Sequence, residues 1–520
     1  MSGSWRIALG AVVVVAAAVL GWRAFGAGGG KPASGTSDYW IEELATGLDY
    51  PTSMTWLPDG RLLVLERMGG LRVVEEGKLL DAPIEGVPAS FQSDQSDGLR
   101  DVAIDPDFTS NQLIYLLLSQ GNYDGRSAAV YRGRLQDGRL EDVERIFITR
   151  DAIAVSANTS MPTRMMFLPD KTLLVAVAGI EKLDVSQRLD SHAGKILRIN
   201  RDGSPAEGNP FAGRDGALPE IWSYGHRVVL GMCRFADQDR IWFVEPAARG
   251  GDELNLLRKG ANYGWSEVSW SFSYENNGAA SANQTGEGVE DPKLVWVPAV
   301  TPSGLACYDG DAFPEWKGDI FLGYLSGKAI ERLTLDEQFR PVSRELIGTG
   351  LDERIRDVRM GPDGLIYILT DSSSGRLLRL RPGEPDASER ARIAPRRTAP
   401  FIRSESKIEL GDPARGKEVF VARCASCHSV RGEIPGGSVG PDLAGLLGRP
   451  VASQEGYGYS TALKGKASIG MQWNLTVLEM LLSDPTGFAP GTTMTVPLEN
   501  REERRAVMAY LKQNSEQAER

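Results

Sequence analysis

The sequence predicts a mainly β body built as a six-bladed β-propeller, followed by a small all-α domain, with a transmembrane or signal helix ahead of both. Three observations carry this reading. A strand–turn–strand segment recurs six times through the middle of the chain. The run Cys424-Ala425-Ser426-Cys427-His428 stands near its C-terminal end, and an apolar stretch lies near its first residues. At 520 residues the chain is too long for one compact core. A net charge of -11, without a Lys/Arg block interleaved with aromatics, excludes a nucleic-acid partner and suits an acidic face meeting a basic redox partner.

Arg6 precedes the apolar run Ile7 to Gly21, the pattern of an export signal. Without a clean small-x-small cleavage site, residues 1–25 read as an uncleaved anchor, with a cleaved signal as the alternative. Residues 26–37 (GAGGGKPASGTS, starting at Gly26) are a flexible tether. The expectation is a body on the periplasmic side of the inner membrane, or a secreted soluble periplasmic protein in the alternative.

Residues 38–383 hold the repeats: MTWLPDGRLLVLER from Met54, VAIDPDFTSNQLIYLLLS from Val102, MMFLPDKTLLVAVA from Met165, MCRFADQDRIWFVEP from Met232, LACYDGDAFPEWKGDIFLGYL from Leu305 and VRMGPDGLIYILTD from Val358. Each is an apolar strand, a tight turn of the Pro-Asp-Gly type and a second strand. One hairpin cannot bury both faces, so six of them arrange radially, as propeller blades. A β-sandwich explains the strands but not the recurrence. Residues 384–408, rich in Arg, Pro and Ser, read as a linker.

In residues 409–520 the Cys-x-x-Cys-His run is the attachment site of one covalent c-type haem. Two thiols one helical turn apart bond the porphyrin, and the adjacent His428 reaches the iron. Asp412 caps and Pro413 opens a helix leading to it, and Asn500 with Glu503 starts the last helix, whose Val507, Tyr510 and Leu511 share a face. Of the four cysteines, Cys233 and Cys307 remain, and nothing in their spacing requires them to pair.

The runs GLRDVAIDPDFTSNQLIYL, SHAGKILRINRDGSPAEGNPF, PEIWSYGHR, GGDELNLLRKGANYGW, GDAFPEWKGDIF and RIRDVRMGPDGLIYILTD resemble, in order, the soluble glucose, aldose sugar and sorbosone dehydrogenase family. That resemblance implies a six-bladed propeller using pyrroloquinoline quinone and calcium on a small sugar or alcohol. It also implies a His base four residues ahead of an Arg matched by Arg164; here that position is Ser160, preceded by Thr159. Of three histidines, His192 and His226 occupy the family's SH-x-GK and GHR motifs, and His428 belongs to the haem. Ser96, Val228, Pro246, Ala247 and Ala248 also depart from the family at quinone and calcium positions. Arg227, Asp252, Arg354 and Arg356 match it.

Two residues apart on a strand, Arg354 and Arg356 share a face and either clamp a quinone or other anion or pair with Asp352 or Asp357. Asp252, with Glu245, is either a calcium ligand or a brace for its loop. Asp94, Asp97 and Asp101 are either a replacement base or solvated loop acids.

The C-terminal run, with GPDLAGLLGR, GYGYS, Trp473 and PGTTM, resembles class I cytochrome c. The resemblance implies Met494 as second iron ligand opposite His428, the Pro441 carbonyl on the His428 ring, and Tyr459 and Trp473 at a haem propionate. Met471 and Met480 read as core filler. Three functions follow: an anchored electron-transfer protein passing electrons to a redox partner or respiratory chain component, with an eroded propeller; an active quinohaemoprotein dehydrogenase; or a ligand-binding or sensory propeller with redox readout.

Overall fold

The computed structural model describes residues 38–518 apart from 93–96, 123, 151, 153–161, 180–183, 237, 249, 272–280, 282, 349–350, 395–409, 438, 469–470, 484 and 490. Ser160, Thr159, Ser96, Asp94 and the N-terminal apolar run therefore lie outside the described residues. Among the described residues no helix is long and apolar enough to cross a membrane.

Six four-stranded antiparallel sheets form the body. The six repeated hairpins are the first two strands of the six sheets, and the first strands of successive sheets pack against one another around a closed ring. This excludes the sandwich. Blades 1 to 5 occupy residues 51–79, 99–148, 162–224, 231–296 and 302–347. Blade 6 joins strands Ile355–Met360, Ile366–Thr370 and Gly375–Pro382 to the first strand of the chain, Tyr39–Leu48, paired from Tyr39 against Pro382 to Leu48 against Gly375. That strand ties the start of the described chain into the last blade, whose inner strand packs against that of blade 1.

The central strands are apolar on both faces because each is covered by a neighbouring blade. Leu62–Glu66, Leu173–Val177, Ile320–Tyr324 and Ile366–Thr370 are buried throughout. Near the start of the first strand, five blades carry a register shift: at Pro51/Ser53, Leu99/Asp101, Pro162/Arg164, Pro302/Leu305 and Ile355/Asp357. A repeated bulge at one end of the inner ring re-aims side chains there. Cys233 and Cys307, on the first strands of blades 4 and 5, form a disulfide.

The C-terminal domain is helical. Helix α1 (Pro413–Arg423) is capped by Asp412, whose carboxylate accepts from the Ala414 amide at 3.0 Å. Helices α2 (Thr461–Ser468), α3 (Leu475–Ser483) and α4 (Pro485–Phe488) precede α5 (Arg501–Ala518). Asn500 accepts from the amides of Glu502 and Glu503 at 2.8 and 3.2 Å. Helices α1 and α5 cross closely at Gly416, where a Cβ would stand 1.9 Å from the Ala506 carbonyl oxygen. Phe420 and Tyr510 meet beside it with centroids 5.6 Å apart. Val507, Tyr510 and Leu511 are buried, Met471 sits in the core and Met480 packs against it.

Candidate functional site

The first site is built from a few turns of chain. Beyond α1 the backbone tightens so that the amides of Cys427 and His428 both donate to the Cys424 carbonyl, at 3.0 and 2.9 Å. This brings both thiols and the imidazole to one turn, with the two cysteines half-buried and not bonded to each other. The His428 Nδ1 donates to the Pro441 carbonyl at 2.9 Å. That bond fixes the tautomer and leaves Nε2 as the nitrogen for a metal. Burial lowers the His428 pKa against the opposing effect of the Pro441 carbonyl, which keeps the ring neutral, the form that ligates. Gly440 lies flush on the ring: a Cβ there would come within 2.3 Å of Cε1.

Met494, Tyr459 and Cys424 pack, half-buried, on the cluster that contains Trp473 and Phe420. Trp473 is anchored through its amide to the Arg449 carbonyl at 2.8 Å, and Arg449 donates to the Asp442 carbonyl at 2.9 Å. Two thiols, one imidazole nitrogen and a thioether around an apolar cluster fit a covalent haem.

The second site is assembled from the ends of blade strands. Asp371 receives three guanidinium groups: Arg67 at 2.6 Å, Arg354 at 3.0 Å and Arg356 at 3.0 Å. Burial works to raise the Asp371 pKa, but the charges of Arg356, Arg67 and Arg354 overcome it and hold the carboxyl well below the usual range. Arg100 lies nearby, its pKa pushed down by burial and by the charges of Arg356, Arg67 and Arg164. Arg354 and Arg356 do converge, although through the bulge rather than simple strand alternation. Their shared carboxylate is Asp371, not the expected Asp352 or Asp357. Asp352 pairs with Lys328 at 3.4 Å, and Asp357 with Arg359 at 2.9 Å and Arg164 at 3.4 Å. Arg354, with its side chain 47% exposed, presents this cationic cluster to solvent. The donor set fits an anion with several carboxylates.

Asp97 and Asp101 are neither solvated nor open. Asp97 pairs with Arg126 at 2.8 Å. Asp101 accepts from Ser53, from the Met165 amide at 2.7 Å and from Arg359 at 3.2 Å. Both are fully buried.

Around blade 4, His226 is enclosed. Its Nδ1 lies 2.6 Å from Glu245 Oε1 and its Nε2 2.8 Å from the Ser223 hydroxyl, with Tyr263 stacked on the ring. His192 accepts from the Arg150 amide at 3.0 Å and faces Glu220 at 3.3 Å. Arg227 donates to the Pro246 carbonyl at 2.8 Å and lies over Trp265, while its amide donates to Glu245 at 3.2 Å. Asp252 accepts from the amides of Ala247, Val300 and Thr301 at 2.6, 2.7 and 2.8 Å. Burial raises its pKa to about 6 despite those bonds. Both oxygens are thus used in bracing loops. Among the described residues no group of three or more Asp, Glu, His or Cys side chains is placed to hold a metal ion. Asp252 and Glu245 as they stand do not fit a calcium ion, which needs six or more oxygens.

Sequence reasoning missed Arg67 and Asp371. Each directly follows the second strand of its hairpin, in adjacent blades, so aligning the repeats places them at equivalent positions beside the ring.

Residues 48–379 match the Glucose / Sorbosone dehydrogenase family, and residues 413–515 match Cytochrome c. The chain is 36% identical over 350 residues to the aldose sugar dehydrogenase YliI of Escherichia coli, an alignment covering 66% of this chain and 92% of that protein. It is 39% identical over 113 residues to cytochrome c of Ginkgo biloba, covering 22% of this chain and 96% of that one. The PQQ-bound aldose sugar dehydrogenase of Streptomyces coelicolor superposes with a TM-score of 0.54 at 25% identity, covering 66% of this chain and 98% of that structure. With the ring of six blades and the haem turn in place, these matches identify the chain as a member of the glucose/sorbosone dehydrogenase family carrying a C-terminal cytochrome c domain.

Proposed function

We propose that the protein is a membrane-anchored periplasmic electron carrier working through a His/Met haem c, and that its sugar-dehydrogenase-like propeller has lost its catalytic base. When bound, the haem supplies reversible one-electron chemistry at iron. The residues that would hold it are Cys424 and Cys427 through their thiols, His428 through Nε2, its Nδ1 being held by the Pro441 carbonyl, and Met494 through its thioether. A thioether opposite imidazole favours electron transfer over oxygen chemistry. The observation that carries the loss of sugar oxidation concerns the histidines. Removing a hydroxyl proton needs a base near the reacting carbon. Of three histidines one belongs to the haem turn, and the ring nitrogens of the other two already face protein partners. Ser160 at the family's base position agrees. The Cys233–Cys307 disulfide supports an oxidising compartment.

The second reading, an active quinohaemoprotein, is favoured by the Arg67–Arg354–Arg356 cluster. It would hold the carboxylates of pyrroloquinoline quinone, the group bound by the Streptomyces relative. The separating experiment adds quinone, calcium and an aldose to the holoprotein and follows haem absorbance. No haem reduction is expected. Rapid sugar-dependent reduction overturns the proposal in favour of the quinohaemoprotein, and a thermal shift with quinone alone reports binding apart from turnover.

A further inference from the structure

The helical domain does not hang free of the propeller: the two share one apolar cluster. Trp270 and Val295, from the blade 4 region, are buried in the same cluster as Trp473, Phe488 and Leu478 of the cytochrome domain, and Val297 packs on it. Two polar contacts cross here. Asn474, just ahead of α3, donates its amide to the Val297 carbonyl, and the Lys466 amine of α2 donates to Gln284 Oε1. Lys466 is 1% exposed. Its amine lies 4.4 Å from the centroid of Trp270 and 4.2 Å from that of Phe488, so one propeller ring and one cytochrome ring enclose it. Phe488 in turn faces Trp473 at 6.4 Å.

The propeller side of this seam is tied to the blade 4 loops of the candidate site. A Cβ on Gly251 would stand 2.4 Å from the Trp270 carbonyl carbon, and Ser271 accepts from the Ala248 amide at 2.9 Å. Val300 and Thr301, shortly after Val297, donate to Asp252.

We propose that blade 4 carries a dedicated docking surface for the chain's own cytochrome domain, closed by Lys466 between Trp270 and Phe488. The partner is fixed by what fills the surface: the Lys466 amine lies over the Trp270 and Phe488 rings and donates to Gln284. The rings, Val295 and Val297 supply apolar contact, and Asn474 and Gln284 set the register. The docked arrangement sets Trp270, beside the blade 4 loops, in one buried cluster with Phe488 and Trp473 of the cytochrome domain. Docking is independent of whether the propeller oxidises anything, so its failure and the failure of the functional proposal are separate events.

The test uses full-length holoprotein without substrate. Small-angle scattering gives the domain separation, and hydrogen exchange gives the protection of 294–297 and of α3. Lys466→Glu, which buries a carboxylate against two ring faces, is expected to lengthen the particle and raise exchange at both segments by about tenfold or more, with the haem spectrum unchanged. Lys466→Met, of similar length and no charge, is expected to stay docked. Trp270→Asp opens the seam from the propeller side, so the answer does not hang on the folding of α2. Scattering and protection unchanged in Trp270→Asp, or opening in Lys466→Met equal to that of Lys466→Glu, would overturn the proposal.

Discussion

The histidines of the two domains sit in opposite circumstances. His428 is held by one bond, from Nδ1 to the Pro441 carbonyl, and keeps Nε2 for a metal. His226 is fully buried with both nitrogens matched, to Glu245 and Ser223, and His192 is matched between the Arg150 amide and Glu220. A ring held at one nitrogen is a positioned ligand; a ring held at both is a brace. The same contrast extends to the carboxylates. Asp252 spends both oxygens on backbone amides, and Asp101 serves a hydroxyl, an amide and an arginine. In the propeller, Arg227, Asp252, Arg354 and Arg356, which the family resemblance associates with a cofactor, are each bonded to other groups of the protein. In the cytochrome domain Cys424, Tyr459 and Met494 pack half-buried on a shared apolar cluster, and His428 keeps one ring nitrogen unspent.

Three perturbations sharpen or break this contrast, in order of expected size. His428→Ala should abolish the low-spin haem spectrum outright, and Met494→Ala should remove the His/Met signature and lower the potential. A Met494→Ala protein that keeps spectrum and potential would sink the ligand assignment. In the propeller, Asp371→Ala leaves Arg67, Arg354 and Arg356 without their shared carboxylate. The expected loss is about 3–5 kcal/mol of stability in denaturant unfolding followed by propeller fluorescence. Added polycarboxylate should restore part of it, and a neutral Asp371→Ala would mean the cluster is not electrostatically coupled.

The smallest effect is a pH dependence at the seam. Burial pushes Lys466 down to about 7, with Gln284 as its polar partner and the Trp270 and Phe488 rings around it. In the open protein a lysine titrates near about 10.4. The open form therefore binds the extra proton between those values, so docking should strengthen as pH rises from about 7 toward about 10. Exchange at 294–297, corrected for intrinsic pH dependence, should fall accordingly in the natural protein and stay flat in Lys466→Met.

The haem site was readable because its parts are close in sequence. Covalent attachment demands Cys424, Cys427 and His428 on one turn, and the Pro441 carbonyl reaches back only thirteen residues. The propeller was readable as a repeat, since every hairpin must present apolar strands around a tight turn. Its pocket was only partly readable. Arg354 and Arg356 stood out as a pair, but their partner Asp371 and the third arginine, Arg67, come from different strands. Their meeting depends on blade 6 closing against blade 1. Asp97 and Asp101 look like loop acids in the sequence, whereas the ring buries them against arginines of distant strands.

By itself the sequence determined what local chemistry dictates: the haem turn, the helix caps at Asp412 and Asn500, and the alternation of strand and turn. Tertiary structure decided which distant groups share a dielectric and a bond. It brought three arginines onto Asp371, joined Cys233 to Cys307 across seventy-four residues, and set Lys466 between rings of two domains. The physical reason is range. A turn or cap is satisfied within a few residues, whereas a buried charge or thiol takes whatever partner the closed ring and the docked domain place beside it.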